Sequence, residues 1–468
     1  MANRSLRNFF KENWLIILIF LVAFSLSLLP LRAVFYWDES VYLLNAEHFY
    51  EGQDNYSEID FRPPLLSFLI SLTYIIWHSF HSAKFLVAVL SALSVPILYL
   101  YSRDISKRAG HFAALIFAMS AFVLYFSSRI LTDVPSIFLI ISALYAYSQH
   151  KKRDDNLLAF LAGILGGLAV LMRFSSLLIL FAILIFELLM FVKNLSWNNA
   201  KNIFKSYLVF VSGFLLPMIP FFIWSFFEFN NLFHVMERAQ VIIGWSTHQN
   251  IWFYFSPFIE AFGILLVIFL VGLISAIALN KNRQTFLMLS WLFVSVFFLL
   301  WTGHKEPRYL LLIIPAFVYF SSFGIETIIK SFKKKIVKNA VIVAFVLLIG
   351  LSFFVNGYYP NYRNTEDFFV RNYTTNTINV ADYMKNIVDD NEVIYTNFEG
   401  PVIALYSDRK VEQLYFGFGK EVHPGYYVNF TESGKDVNTS KANFIFKKKI
   451  GEAYIYKIKN PTASDGVY

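Results

Sequence analysis

Residues 65–77 read LLSFLISLTYIIW, and whether this stretch crosses a membrane decides the side on which every later loop lies. It holds 13 residues, whereas a spanning helix needs roughly 20. Longer apolar runs recur on either side of it, at about 14–34, 84–102, 111–128, 133–149, 157–172, 174–192, 207–228, 256–279, 285–302, 309–329 and 340–356. Eleven spans with a cytoplasmic N-terminus put nineteen Lys and Arg residues in the inside segments, against four acids. That is the asymmetry of the positive-inside rule. Counting 65–77 as a twelfth span would turn the basic loops Lys151–Arg153 and Lys330–Lys338 outward, so residues 65–80 are expected to lie along the outer interface.

Composition agrees with a membrane protein. Of 468 residues 57% are hydrophobic and 15% charged, and the mean hydropathy is +0.53, too apolar for a soluble chain of this length. The formal charge of +8 indicates no nucleic-acid partner, because the basic residues sit between apolar runs. Cysteine is absent, which excludes disulfides, thiolate zinc sites and thiol nucleophiles. The first span is too long, and lacks the small-residue site, for a cleavable signal peptide.

Past residue 356 the character changes. Residues 357–468 carry 27 charges in 112 positions, against 45 in the first 356, so a water-facing domain is expected at 357–468 after a membrane domain at 1–356. An odd number of spans puts it outside the cytoplasm. Helices near 377–388 and 400–406 alternate with the strands EVIYT, VEQLY, FIFKK and AYIYKIK, a small α/β pattern. The aromatic run Tyr415, Phe416, Phe418, Tyr426, Tyr427 and Phe430 reads better as core than as a sugar-stacking surface.

Charges at the outer ends of spans are costly unless they face water or a ligand. The richest cluster is YWDESVYLLNAEHFYEGQDNYSEIDFRPPL at 36–65, with Asp38 and Glu39 after the first span and Arg62 near the end. Asp38 is expected at the N-cap of a helix, where free N–H groups favour an ionised carboxylate fit to act as a base. In SRILTDVPS, Asp133 follows Arg129 by four residues, a carboxylate and a guanidinium about one turn apart. Arg173 in GLAVLMRF, and Lys305 and Arg308 in HKEPRYLLLIIP, complete the set of outer cations. Each alone could anchor lipid headgroups; together they would suit a phosphate held over a general base. Glu187 lies inside the sixth span without an evident partner, and His48, His78, His81, His248 and His304 show no metal-ligand spacing. No phosphate-binding G-x-x-x-x-G-K-[ST] loop occurs, which leaves ATP-driven transport without an engine.

The order of WDES, RPPL, SRILTDVPS, GLAVLMRF and KEPRYLLLIIP, followed by a small outer domain, resembles the GT-C superfamily of polytopic glycosyltransferases. Within it the chain looks like the branch of protein O-mannosyltransferases and the lipid A aminoarabinose transferase. That resemblance implies about eleven transmembrane helices with outer interfacial helices and a small extracytoplasmic α/β domain. It also implies transfer, with inversion, of a sugar from a polyprenyl or dolichyl phosphate to an extracytoplasmic glycan, lipid or protein. Asp38 would be the base, with Glu39 beside it and Asp133 the second acidic position. Arg62, Arg129, Arg173, Lys305, Arg308 and Tyr309 would surround the donor phosphate, Arg173 standing where a Lys is more usual. No cofactor or metal would be obligatory, although a divalent cation could assist. The competing reading is a transporter or flippase, which would want ionisable or broken helices near the bilayer middle in paired halves.

Overall fold

The computed structural model describes residues 2–29, 35–244, 249–279, 282–356, 374–413, 424–431 and 444–458. The end of the first expected span, His248, Lys281, Tyr415, Phe416 and Phe418 lie outside the described residues. By contacts the chain divides into two units, one of residues 1–29, 61–65 and 84–362, the other of 30–60, 66–83 and 363–468. The second unit thus contains most of the first loop as well as the tail. The cut expected at 356/357 divides the sequence more simply than this.

In the first unit the described part of each expected span is mostly helical, although six to eight helices, not the expected eleven, are long and apolar enough to cross a membrane. Among the described residues six helices are of that kind: Phe80–Ser102, Phe174–Lys193, Trp197–Phe229, Arg283–Trp301, Pro307–Ser331 and Lys335–Val355. Up to eight result if the bent pairs Lys107–Ala118 with Ala121–Ser127 and Ile251–Phe262 with Leu265–Leu279 each count once; Glu12–Leu28 and Asn156–Met172 are shorter apolar helices. The protein is therefore a multi-pass membrane protein. Short side chains start the helices: Ser106, Ser120, Asp155, Ser196 and Asn282 each accept a hydrogen bond from an N–H in the first turn. Pro307–Ser331 is the most enclosed of the six and Lys335–Val355 the most exposed.

Between membrane helices association depends on close packing rather than on burial of apolar surface from water. Asn156–Met172 and Trp197–Phe229 meet backbone to backbone: a Cβ on Gly163 would fall on the Phe210 carbonyl, and one on Gly213 on the Phe160 carbonyl. Glu187 also has a partner, contrary to its solitary place in sequence. It sits 2.6 Å from the Lys151 ammonium and accepts a hydrogen bond from the Tyr147 hydroxyl. A buried carboxylate is sustained by such pairing, so this cluster ties Asp133–Arg153 to Leu178–Lys193.

In the second unit, Leu65–Tyr74 is a ten-residue helix, about 15 Å at 1.5 Å per residue, half of what the hydrocarbon core requires. The tail forms a five-stranded mixed sheet of β1 (Val393–Thr396), β2 (Val411–Gln413), β3 (Gly425–Phe430), β4 (Phe444–Ile450) and β5 (Ala453–Ile458), in the order β2-β1-β3-β5-β4. β1 pairs in parallel with β2 and β3, and β5 runs antiparallel to β3 and β4. The sequence reading lacked β3, although it is central and buried throughout. Its residues Tyr426, Tyr427 and Phe430 are core, as expected of the aromatic run. β4 is an edge strand whose Lys447–Lys449 discourage pairing with another chain.

Candidate active site

The helix of the first loop runs from Trp37 to Glu51, and its N-cap is Tyr36. Asp38 is therefore the second helical residue and not the cap. The capping carboxylate is Glu39, whose Oε2 accepts the Tyr36 backbone N–H at 3.2 Å while the side chain is buried. Both acids stand in the positive field of the first turn, Asp38 half-buried and Glu39 enclosed. Around them Trp37 Nε1 donates to Glu58 at 3.2 Å, Tyr56 donates to the same oxygen at 3.0 Å, and Asn45 Oδ1 accepts the Glu58 N–H. The first loop is thus folded onto its own helix. Farther along the helix, burial and the neighbouring carboxylates of Asp408 and Glu51 push Glu47 up to about 7.

Other candidates lie in the first unit. Asp133 opens the helix Asp133–Arg153, while Arg173 ends Asn156–Met172 in extended backbone. That change of direction aims the guanidinium back: Arg173 Nη1 lies 2.8 Å from Asp133 Oδ1, and its Nε donates to Ser175 at 3.2 Å. The expected partner of Asp133, Arg129, instead has its guanidinium 5.4 Å from the Tyr125 ring centre. Adjacent turns of sequence do not make the pair, because Arg129 precedes the helix that Asp133 begins. Arg173 also stands 5.4 Å from the centre of the Tyr309 ring.

Tyr309 belongs to the 3₁₀ turn Pro307–Ile313, and the charges acting on its phenol are Arg173, Glu306, Arg308 and Asp133. Three of these, Arg173, Arg308 and Asp133, are candidates that the sequence offers in three separate motifs. Glu306 was not among the site candidates, yet it lies between two of its neighbours: Oε1 is 2.8 Å from His304 Nε2, and Oε2 pairs with Arg308 Nε. Tyr254, also missed, is buried; its hydroxyl approaches the Glu306 backbone N–H and closes no hydrogen bond of ordinary geometry among the described residues. Nothing in the aromatic string WFYFSP distinguishes it from core.

Lys305, expected in the phosphate set, has its ammonium engaged by backbone carbonyls. Its buried ammonium donates to the carbonyls of Leu299 at 2.9 Å, Leu300 at 3.3 Å and Thr302, the open end of Arg283–Trp301. Loss of hydration lowers its pKa below that of an ordinary lysine. These contacts satisfy the carbonyls at the end of that helix. Arg62 lies 5.4 Å from the Phe61 ring centre and is half-buried. Among the described residues no group of three His, Asp or Glu is arranged to hold a metal.

The structure of ArnT from Cupriavidus metallidurans bound to undecaprenyl phosphate superposes with a TM-score of 0.70 at 12% identity, covering 96% of this chain and 98% of that one. The apo form of ArnT gives 0.73 at 12% identity, covering 95% and 98%. An oligosaccharyltransferase from Archaeoglobus fulgidus in complex with Zn and sulfate gives 0.64 at 19% identity, covering 89% of this chain and 68% of that one. The fold is that of the GT-C membrane glycosyltransferases. Residues 55–393 match the model of the Alg9-like mannosyltransferase family, and the chain belongs to that family. No curated sequence matches it.

Proposed function

We propose that the protein moves a sugar from a polyprenyl or dolichyl monophosphate to an acceptor outside the cytoplasm, with inversion at the anomeric carbon. The observation that carries this reading is the meeting of Arg173 with Tyr309, the sequence neighbour of Arg308, across a long stretch of chain, with the Arg173 guanidinium held by a buried carboxylate. Such groups suit a phosphate on which negative charge develops. The likeness to ArnT, whose structure contains undecaprenyl phosphate, supports the same donor class.

In this reaction the acceptor hydroxyl gives its proton to the Asp38 carboxylate as its oxygen bonds the anomeric carbon. The bond from that carbon to the phosphate oxygen breaks, and the lipid phosphate leaves with the electron pair. Arg308 and Arg173 stabilise the departing oxygens, and Tyr309 supplies a hydroxyl donor. The energy resides in the donor's activated bond, so no nucleotide is consumed and no cofactor is obligatory. The C-terminal domain lies on the acceptor side, away from the cytoplasm.

The test uses purified full-length protein with a polyprenyl monophosphate mannose donor and follows release of polyprenyl phosphate without nucleotide. Asp38→Asn keeps the size of the side chain and removes the base, so turnover should fall by ~10²-fold or more with donor binding intact. Glu39→Gln keeps an oxygen for the Tyr36 N–H and should act more mildly. An Asp38→Asn protein that retains most activity would sink the mechanism.

A further inference from the structure

We infer that Tyr254 is a phosphate-binding residue whose hydroxyl donates a hydrogen bond to the same lipid phosphate as Arg173 and Tyr309. The inference rests on the phosphate-donor reading above and deepens it by adding a residue to that site. Its basis is a buried phenol whose oxygen closes no hydrogen bond of ordinary geometry among the described residues, placed beside groups that suit an anion. The segment that carries it, Ile251–Tyr254, is clasped to the loop that precedes Tyr309. The Gln249 N–H donates to the Gly303 carbonyl at 3.1 Å, and the Lys305 N–H donates to Gln249 Oε1 at 3.0 Å. The Lys305 ammonium, fixed by its three carbonyls, stands 5.7 Å from the centre of the Tyr254 ring. Tyr309 and Arg173 both lie within electrostatic reach of the Tyr254 phenol.

The chemistry of the hydroxyl says what it can bind. The Glu306 backbone N–H that it approaches is itself a donor, so that contact can occupy a lone pair of the phenol oxygen and leaves the O–H proton unspent. Burying a hydroxyl without an acceptor destabilises a fold. Packing does not call for it either, because a phenylalanine would fill the same space, as Phe253 and Phe255 do on either side in the sequence. A phenol keeps its proton across the physiological range, so it meets an anion as a donor. A phosphate oxygen is an acceptor that would use the spare proton, and a hydrogen bond to a charged acceptor gains strength where water is excluded.

Binding of undecaprenyl phosphate to the full-length protein in detergent is the measurement, with thermal unfolding of the same samples in the absence of that lipid beside it. Tyr254→Phe removes one oxygen and keeps the ring. It should weaken binding by about tenfold, the scale of a hydrogen bond to a charged group. Without the lipid its Tm should equal or exceed that of the unaltered protein, because a buried hydroxyl lacking an acceptor is gone. The two readouts separate binding from structure, since a hydroxyl spent inside the fold would lower Tm when removed. A lower Tm, or binding weakened by less than about threefold and so short of such a bond, would overturn the inference while leaving the donor reading intact. Unchanged binding of undecaprenyl phosphate with a raised KM for the mannose-bearing donor would place the hydroxyl against the sugar and overturn it as well. Failure of the unaltered protein to bind undecaprenyl phosphate would instead remove the donor reading, and this inference with it.

Discussion

Arg308 carries the largest single expectation, because a charge-assisted contact to a leaving phosphate strengthens as the bond breaks. Arg308→Ala should cost ~2–4 kcal/mol of barrier, roughly 30- to 1000-fold in turnover, with Arg308→Lys recovering part. Turnover near that of the unaltered protein, measured as polyprenyl phosphate release, would assign Arg308 to headgroup anchoring. At this scale the motif KEPRY was legible in the sequence, but the division of labour within it was not. Lys305 and Arg308 are equivalent as letters; one meets the end of a helix and the other a carboxylate. Asp133 likewise meets Arg173, forty residues on, because one helix begins where another ends.

Helices and strands respond to what they pack against. Gly163→Ala drives a methyl onto the Phe210 carbonyl, so the helices Asn156–Met172 and Trp197–Phe229 must separate, a cost of ~1–3 kcal/mol typical of overpacking. Gly350→Ala in Lys335–Val355 meets nothing within 4 Å and should be neutral or slightly stabilising. Thermal unfolding of the two purified variants in detergent makes the comparison; equal melting would refute the close approach. A second test lies in Trp37–Glu51. Glu47 has its pKa raised from 4.5 to about 7, so folding favours its protonated form. Its stabilising effect is complete below about 4.5 and is lost as the pH rises through about 7. Melting of the second unit, followed by hydrogen exchange on the full chain, should therefore be highest near pH 4.5 and decline toward pH 8, and Glu47→Gln should flatten that slope. An unchanged slope would remove Glu47 as its source. The strand β3 went unread because GYYVNF, buried on both faces, shows no alternation, whereas the partly exposed β5 does.

For the whole molecule the outstanding quantity is sidedness. Single cysteines introduced at the exposed positions Lys152 and Lys334 of this cysteine-free chain should react with a maleimide only after the membrane is permeabilised, and one at the exposed Asn391 should react without it. Lys152 and Asn391 reacting from the same side would refute the eleven-span topology. Apolar runs and the asymmetry of Lys and Arg were enough, from the sequence alone, to establish a multi-pass membrane protein, because the bilayer imposes a length and a charge preference on local sequence. The brevity of 65–77 likewise announced a helix too short to cross. Tertiary structure alone decided which charges are partnered. Glu187 with Lys151, Asp133 with Arg173 and Lys305 with the carbonyls of a helix end are contacts between residues or backbone ends that only folding brings together. It also decided the grouping of the first loop with the tail, since contacts across hundreds of residues are written in no local pattern. A buried charge must find its partner in space, and spacing along the chain records only its neighbours.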